Sequence, residues 1–323
     1  MLSSTQAPSI ANHSIKTEKL SQLVDLFLQN QDVKENSRQL YKRTINIFLS
    51  WMSKKGYELS SVARVEIIEY KECLLSSGLT SLTVGSYITA VRRFYEWLEA
   101  NKLYPNVAKG VKSPMRKQQF RKQALTPTQG QALLNDAQEK ALSGFLKDKG
   151  LRDYAILNLL LRTGLRTVEI IRVNIEDVTY KAGKRVLLVH GKGRDEKDNF
   201  VVLTDKAYLP IESYLNTRTK TNGTEPLFVS TGNKSRGKRL ATRTISRIAK
   251  EGLKAIGLNN KSYTAHSLRH TTAVNILRAG GTIETAQYVL RHSSPVTTQI
   301  YTYTIKEELR LQNAGEELLD KLF

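Results

Sequence analysis

Residues 110–124, GVKSPMRKQQFRKQA, constrain this chain more than any other stretch. They hold lysines and arginines, a proline and no acid, which suits an exposed linker lying along phosphates. Lys117, Arg121 and Lys122 are the candidate contacts in it. A solvated link with no partner has the same composition. The sequence changes character across this linker. Before it, SQLVDLFLQNQ, SRQLYKRTINIFLSWMSKKG, SSVARVEIIEYKECLLSSG and SLTVGSYITAVRRFYEWLEANK space their apolar residues three and four apart, as amphipathic helices do. In the second these are Leu40, Ile45, Phe48, Trp51 and Met52. Serines suited to N-capping open the third and fourth.

After the linker the pattern mixes. TPTQGQALLNDAQE and KGLRDYAILNLLLRTG are helical in period. KRVLLVHGKGRDEKDNFVVLT then gives two β-rich runs joined by a Gly- and Asp-containing turn, a hairpin. Helices are expected again over 241–257, 266–279, 283–291, 295–303 and 306–321. The expected fold is mainly α: a compact helical domain, then an α+β domain with one small antiparallel sheet. The expected organisation is a flexible arm at 1–17, a helical domain at 18–112 and the basic linker at 113–124. A second domain follows at 125–305, then a C-terminal helix at 306–323. Two domains on a basic strap would enclose a duplex.

Fifty Lys+Arg against thirty Asp+Glu give a formal net charge of +20 over 323 residues. Such an excess calls for a polyanion, nucleic acid first and an anionic membrane surface second. The longest apolar runs, such as AILNLLL at 155–161, are too short to span a bilayer. The N-terminal MLSSTQAPSIANHSIKTEKL has no secretory pattern. A single cysteine, Cys73, fits a reducing cytoplasm. GNKSRGKRLATRTISRIAK at 232–250 adds an acid-free basic segment, with Arg236, Lys238, Arg239 and Arg243 as candidate phosphate contacts.

Four short motifs carry the candidate chemistry. LLLRTGLRTVEIIRVNIEDV puts Arg166 near a helix N-terminus, where anions are favoured, with Glu169 three residues on to hold its guanidinium. HGKGRDEKDN puts Lys192 on a β-turn; a P-loop needs Ser or Thr after the lysine, and Gly193 stands there. AHSLRHTTAVNILRAGG sets His266 and Arg269 on one helix face, with His270 nearby. A zinc hydrolase motif needs Glu where Ser267 stands, so no metal is expected. RHSSPVTTQIYTYT supplies His292, Tyr301 and Tyr303. Two apart on a helix, the tyrosines point about 200° away from each other, so one site takes only one of them.

Taken in order, these motifs resemble those of the tyrosine recombinase (phage integrase) family over essentially 18–310. TGLRTVEI is similar to its first arginine box, VHGKGRDEK to its hairpin lysine, and HSLRHTTA to its His-x-x-Arg box. VLRHSSPVTTQIYTY is similar to its His/Trp-plus-tyrosine box. TVGSYITAVRRFYEWLEANKLYPNVAKGV resembles the end of its helical core-binding domain. Arg291 departs from the pattern, since that position is usually glycine; it either alters local packing or adds a phosphate contact. The resemblance implies a catalytic set of Arg166, Lys192, His266, Arg269, His292 and Tyr301, with Glu169 supporting. It implies an integrase- or Xer-like site-specific recombinase that forms a 3′-phosphotyrosyl link without ATP, metal or other cofactor. The implied partners are double-stranded DNA with paired half-sites, a homotetramer exchanging C-terminal tails, and accessory proteins, in the cytoplasm and at the nucleoid. A type IB topoisomerase and a non-catalytic DNA-binding regulator are the alternatives.

Overall fold

The computed structural model describes residues 10–115, 123–143, 147–190, 196–219, 221–292, 296–312, 316–320 and 322. The chain divides into two compact units, Met1–Gln119 and Phe120–Phe323.

The first unit is helical: α1 (Ile10–Gln29), α2 (Glu35–Lys55), α3 (Arg64–Ser76) and α4 (Ser81–Ala100). Its core centres on α4, which buries Val84, Ile88, Val91, Phe94, Tyr95 and Leu98 against Phe27, Ile45, Phe48, Ile67 and Tyr70. Aromatic rings meet edge-on within it, Phe27 to Phe94 at 5.4 Å and Phe48 to Tyr70 at 5.0 Å, the geometry their quadrupoles favour. On α2 the expected stripe holds for Ile45, Phe48 and Met52, whereas Leu40 is exposed. Helix α1 reaches back to Ile10, inside the polar stretch expected to be an arm; no Gly or Pro interrupts it after Pro8. The caps also differ from expectation. Thr80, not a serine, caps α4 by accepting from Thr83 N at 3.3 Å. At α3 it is Glu66 that accepts from Ala63 N at 2.7 Å, while Ser61 is used in the preceding turn.

The second unit begins with α5 (Pro127–Ser143), α6 (Lys147–Thr163) and α7 (Thr167–Arg172). A three-stranded antiparallel sheet follows, β1 (Val178–Lys181), β2 (Lys184–Val189) and β3 (Asn199–Val202), in the order β1-β2-β3. Strand β1 adds to the expected hairpin. It joins β2 through Ala182 and Gly183, both at positive φ, as a two-residue turn of matching twist requires. The chain continues through α8 (Asp205–Leu215), α9 (Thr242–Ala255), α10 (Ala265–Arg278), α11 (Ile283–Leu290), α12 (Val296–Gln312) and α13 (Glu316–Leu319). Helix α6 lies at the centre, packed on α5, α8, α9 and α10, and buries Leu151, Ala155, Ile156, Leu157, Leu159 and Leu160. Helix α12 runs unbroken where two helices were expected, because nothing between Tyr303 and Lys306 stops a helix. Its early turns pack in cis: Ile305 lies against a small core of Ala273, Val274, Leu290 and Tyr301. Glu308 accepts from Arg278 Nε at 3.0 Å.

One glycine fixes how the helices of this unit converge. Gly164, between α6 and α7, has φ +59°, and a Cβ there would fall 2.5 Å from Leu290 Cδ2 and 3.3 Å from Thr272 Cβ. Gly164→Ala is therefore expected to lower stability by about 2–4 kcal/mol, from left-handed strain together with overpacking. Urea denaturation of the two proteins measures it.

Candidate active site

The turn after α6 positions the first arginine. Arg166 sits in extended backbone, φ −75° and ψ 150°, and starts α7. Glu169, one turn on, receives its backbone N–H on Oε2 and its guanidinium Nη1 on Oε1, both at 2.7 Å. The carboxylate is only 3% exposed. Burial alone would raise its pKa, yet Arg291 and Arg166 outweigh burial and hold it below the ordinary glutamate value.

Arg269, in the second turn of α10, is 2% exposed. Its Nη1 donates to Gly164 O and its Nη2 to Leu290 O. These bonds use two of its five N–H donors. Burial, then the neighbouring Arg166 charge, bring its pKa down to about 9. His266, three residues earlier, is exposed. The two share a side of the helix but lie at different depths. Ser267, at the position where a zinc motif would need Glu, accepts from Thr264 N at 3.0 Å and caps α10.

Tyr301 lies on α12, 4% exposed, whereas Tyr303 is 53% exposed. The His270 ring packs 4.8 Å from the Tyr301 ring, tilted at 55°, and the His292 ring stacks 6.1 Å away at 19°. Burial raises the Tyr301 phenol pKa, against the opposing pull of Arg269 and Arg166. His270 and His292 are each pushed down to about 4. For His270 the causes are burial, then His266 and Arg278; for His292 they are burial, then Arg269, Arg166 and Arg291. His270 was legible only as a neighbour of the His-x-x-Arg motif; its place against Tyr301 follows from the crossing of α10 and α12.

Arg291 ends α11 in the left-handed region, φ 54° and ψ 48°, which for a side-chain-bearing residue costs roughly 1–2 kcal/mol. Its guanidinium turns inward, donating to Val289 O at 2.6 Å and to Glu169 Oε2 at 2.8 Å. Of the two roles open to it in the sequence, these contacts are those of packing. The next residue, His292, is held through its backbone: its N–H donates to Gln287 O at 3.2 Å, and Gln287 Nε2 donates to its carbonyl at 3.1 Å.

Lys192 and the linker residues Lys117, Arg121 and Lys122 lie outside the described residues. Of the other basic candidates, Lys238 and Arg243 are exposed, and Arg236 is exposed and pairs with Asp148 at 3.6 Å. Arg239 is committed to the fold, donating to Ile171 O at 2.7 Å and Asn174 Oδ1 at 2.6 Å. Among the described residues no group of His, Cys, Asp or Glu side chains is arranged to hold a metal ion.

The two depressed histidines make stability depend on pH. Their folded pKa values, about 4, lie below the ordinary 6.5, so the unfolded chain takes up protons first as pH falls. Their contribution is complete above about pH 6.5 and is lost between there and about pH 4. The melting temperature is expected to fall by several degrees from pH 7 to 4.5 and to fall less in His270→Gln, measured by circular dichroism.

Comparison with known proteins gives one answer. The model of the phage integrase family matches residues 123–308, and that of the phage integrase N-terminal SAM-like domain matches 22–102. The tyrosine recombinase XerC of Pelobacter propionicus is 30% identical over 272 residues, 83% of this chain and 85% of that one. XerD of Vibrio cholerae serotype O1 is 26% identical over 294 residues, 90% and 93% of the two chains. XerC of Caldanaerobacter subterraneus subsp. tengcongensis is 35% identical over 229 residues, 69% of this chain and 59% of that one. Among solved structures, the XerH site-specific recombinase bound to palindromic difH substrate, in a post-cleavage complex, shares the fold. Its TM-score is 0.73 at 20% identity, covering 98% of this chain and 92% of that one. The chain therefore belongs to the phage integrase family and is a Xer-like tyrosine recombinase, an enzyme of site-specific DNA recombination.

Proposed function

We propose that this protein breaks and rejoins DNA strands through a covalent 3′-phosphotyrosyl link on Tyr301, at sites made of paired half-sites. The observation that carries this reading is the burial of Tyr301 between two imidazoles and under the charges of Arg166 and Arg269, while Tyr303 stands exposed. The Tyr301 oxygen attacks phosphorus and its proton passes to His266; the P–O5′ bond breaks, and Lys192 protonates the leaving 5′-oxygen. Charge accumulates on the two non-bridging oxygens in the transition state. The remaining N–H donors of Arg166 and Arg269 suit that charge, and such clamps act most strongly where water is excluded. His292 donates a hydrogen bond to the phosphate. The anion's charge offsets the guanidinium field that, after burial, depresses the imidazole in the DNA-free protein. The reverse reaction reseals the strand without ATP, because the phosphodiester energy is kept in the tyrosyl ester.

The basic linker, with Lys117, Arg121 and Lys122, and the exposed Arg236, Lys238 and Arg243 supply contacts to the backbone of the duplex. The working form is a tetramer on two duplexes, assembled by exchange of C-terminal tails and aided by accessory proteins, in the cytoplasm at the nucleoid. Ile305 and Glu308 are already engaged in cis, so the exchanged part lies beyond Gln312, where Leu318, Leu319, Leu322 and Phe323 recur at helical spacing.

Tyr301→Phe is expected to bind a half-site normally and to form no adduct on a nicked suicide substrate, while Tyr303→Phe keeps adduct formation within a few-fold of the parent. A Tyr301→Phe protein that still cross-links to DNA rejects the assignment. Lys192→Ala is expected to slow cleavage by ~10²–10⁴-fold, in the range of general-acid loss. A 5′-phosphorothiolate, whose leaving group needs no proton, should restore much of the rate; absence of rescue removes lysine from the acid role. Deleting residues 313–323 should leave half-site binding intact and abolish cooperative binding to two half-sites. Persistent cooperativity in a gel-shift titration refutes tail exchange.

A further inference from the structure

The conformation of residue 291 favours glycine, yet an arginine occupies it. Its guanidinium is buried, with the side chain 6% exposed, and its two bonds reach different elements: the last turn of α11 at Val289 O and the first turn of α7 at Glu169. Glu169 is consequently shared. Oε1 takes Arg166 Nη1; Oε2 takes the Arg166 backbone N–H and Arg291 Nη2. One carboxylate thus joins the start of α7 to the end of α11, beside the parallel tie that Arg269 makes between Gly164 O and Leu290 O.

Two consequences follow. The first is geometric. His292 leaves the helix directly after Arg291, so its position relative to Arg166 depends on how the turn is anchored. The second is electrostatic. A lone Glu169–Arg166 pair would be neutral, whereas here a single carboxylate lies between two guanidiniums with Arg269 beside them. The group carries two uncompensated positive charges in a largely buried place, where charge acts with little screening.

We propose that Arg291 is a positioning residue for strand cleavage: through Glu169 it locks the His292 turn to Arg166 and leaves the Arg166 charge uncancelled for the scissile phosphate. The cleavage part of this role rests on the reading of the site as a phosphotyrosyl recombinase. The anchoring of His292 stands on the contacts alone.

Arg291→Gly and Arg291→Lys separate the role from the turn. Glycine suits the left-handed backbone and removes the guanidinium; lysine keeps a cation and keeps the unfavourable turn. In DNA-free protein the His292 ring protons are followed by NMR through a pH titration. Arg291→Gly is expected to raise the His292 midpoint by roughly half a unit or more, since a nearby cation is lost, and Arg291→Lys to leave it near the parent value. On a nicked suicide substrate Arg291→Gly should slow single-turnover adduct formation about tenfold or more with half-site affinity within about twofold, and Arg291→Lys should recover most of the rate. A glycine variant that cleaves at the parent rate, or a His292 midpoint that does not move, overturns the proposal. Should the parent form no adduct, the phosphotyrosyl reading fails by itself, and the His292 titration still decides whether the Arg291 charge acts on the imidazole.

Discussion

Two hydrogen bonds from one buried guanidinium hold the site together. Arg269 donates to Gly164 O, at the corner between α6 and α7, and to Leu290 O, at the end of α11. Both carbonyls lie where a helix has ended, and such groups lack an intrahelical donor. A buried cation is costly unless it is bonded and compensated, and these carbonyls compensate it only if the corner and the helix end meet. Gly164 permits that meeting, because no side chain stands between it and Leu290. The same convergence brings α12 against α10, so Tyr301 arrives beside His270 and His292.

The positive charges gathered here exceed what the fold neutralises. Arg166, Arg269 and Arg291 face a single buried carboxylate, Glu169; burial first, and the neighbouring guanidinium charges second, lower the pKa of Arg269 and His292. On the proposed reading a phosphate diester supplies the missing negative charge. On that reading the substrate relieves the repulsion among these guanidiniums, with the relief greatest as charge develops on the phosphate oxygens. Burial moves the Tyr301 phenol further above neutral pH in the free protein, so the proposed attack requires phosphorus in place to accept its oxygen.

Much of this was legible in the sequence, for identifiable reasons. The helical domain followed by an α+β domain is written in apolar periodicity, and the β2–β3 hairpin in the branched and aromatic side chains clustered there, whereas β1 was not read from the sequence. Arg166 with Glu169 is a local pattern, one turn apart, and the structure keeps both bonds. That one site takes only one of Tyr301 and Tyr303 follows from helical geometry; which one was implied by the family resemblance, and the structure buries Tyr301 and exposes Tyr303. What the sequence did not disclose depends on contacts between distant segments. Arg291 stood out only as a departure from a glycine; its partner Glu169 lies 122 residues away. Arg239 read as one more phosphate contact in a basic run, yet its guanidinium is taken by Ile171 O and Asn174. Serine caps were misplaced because any hydroxyl or carboxylate near a helix start can cap it, and Thr80 and Glu66 did so.

The central claim is that Tyr301 becomes joined to DNA in a pocket whose walls are fixed by Arg269. Mass spectrometry of the peptide trapped on a nicked suicide duplex tests this most directly. After proteolysis and nuclease trimming, the expected result is a nucleotide linked through phosphate to Tyr301. A nucleotide on Tyr303, or peptides from an active preparation that carry no nucleotide at all, would contradict it.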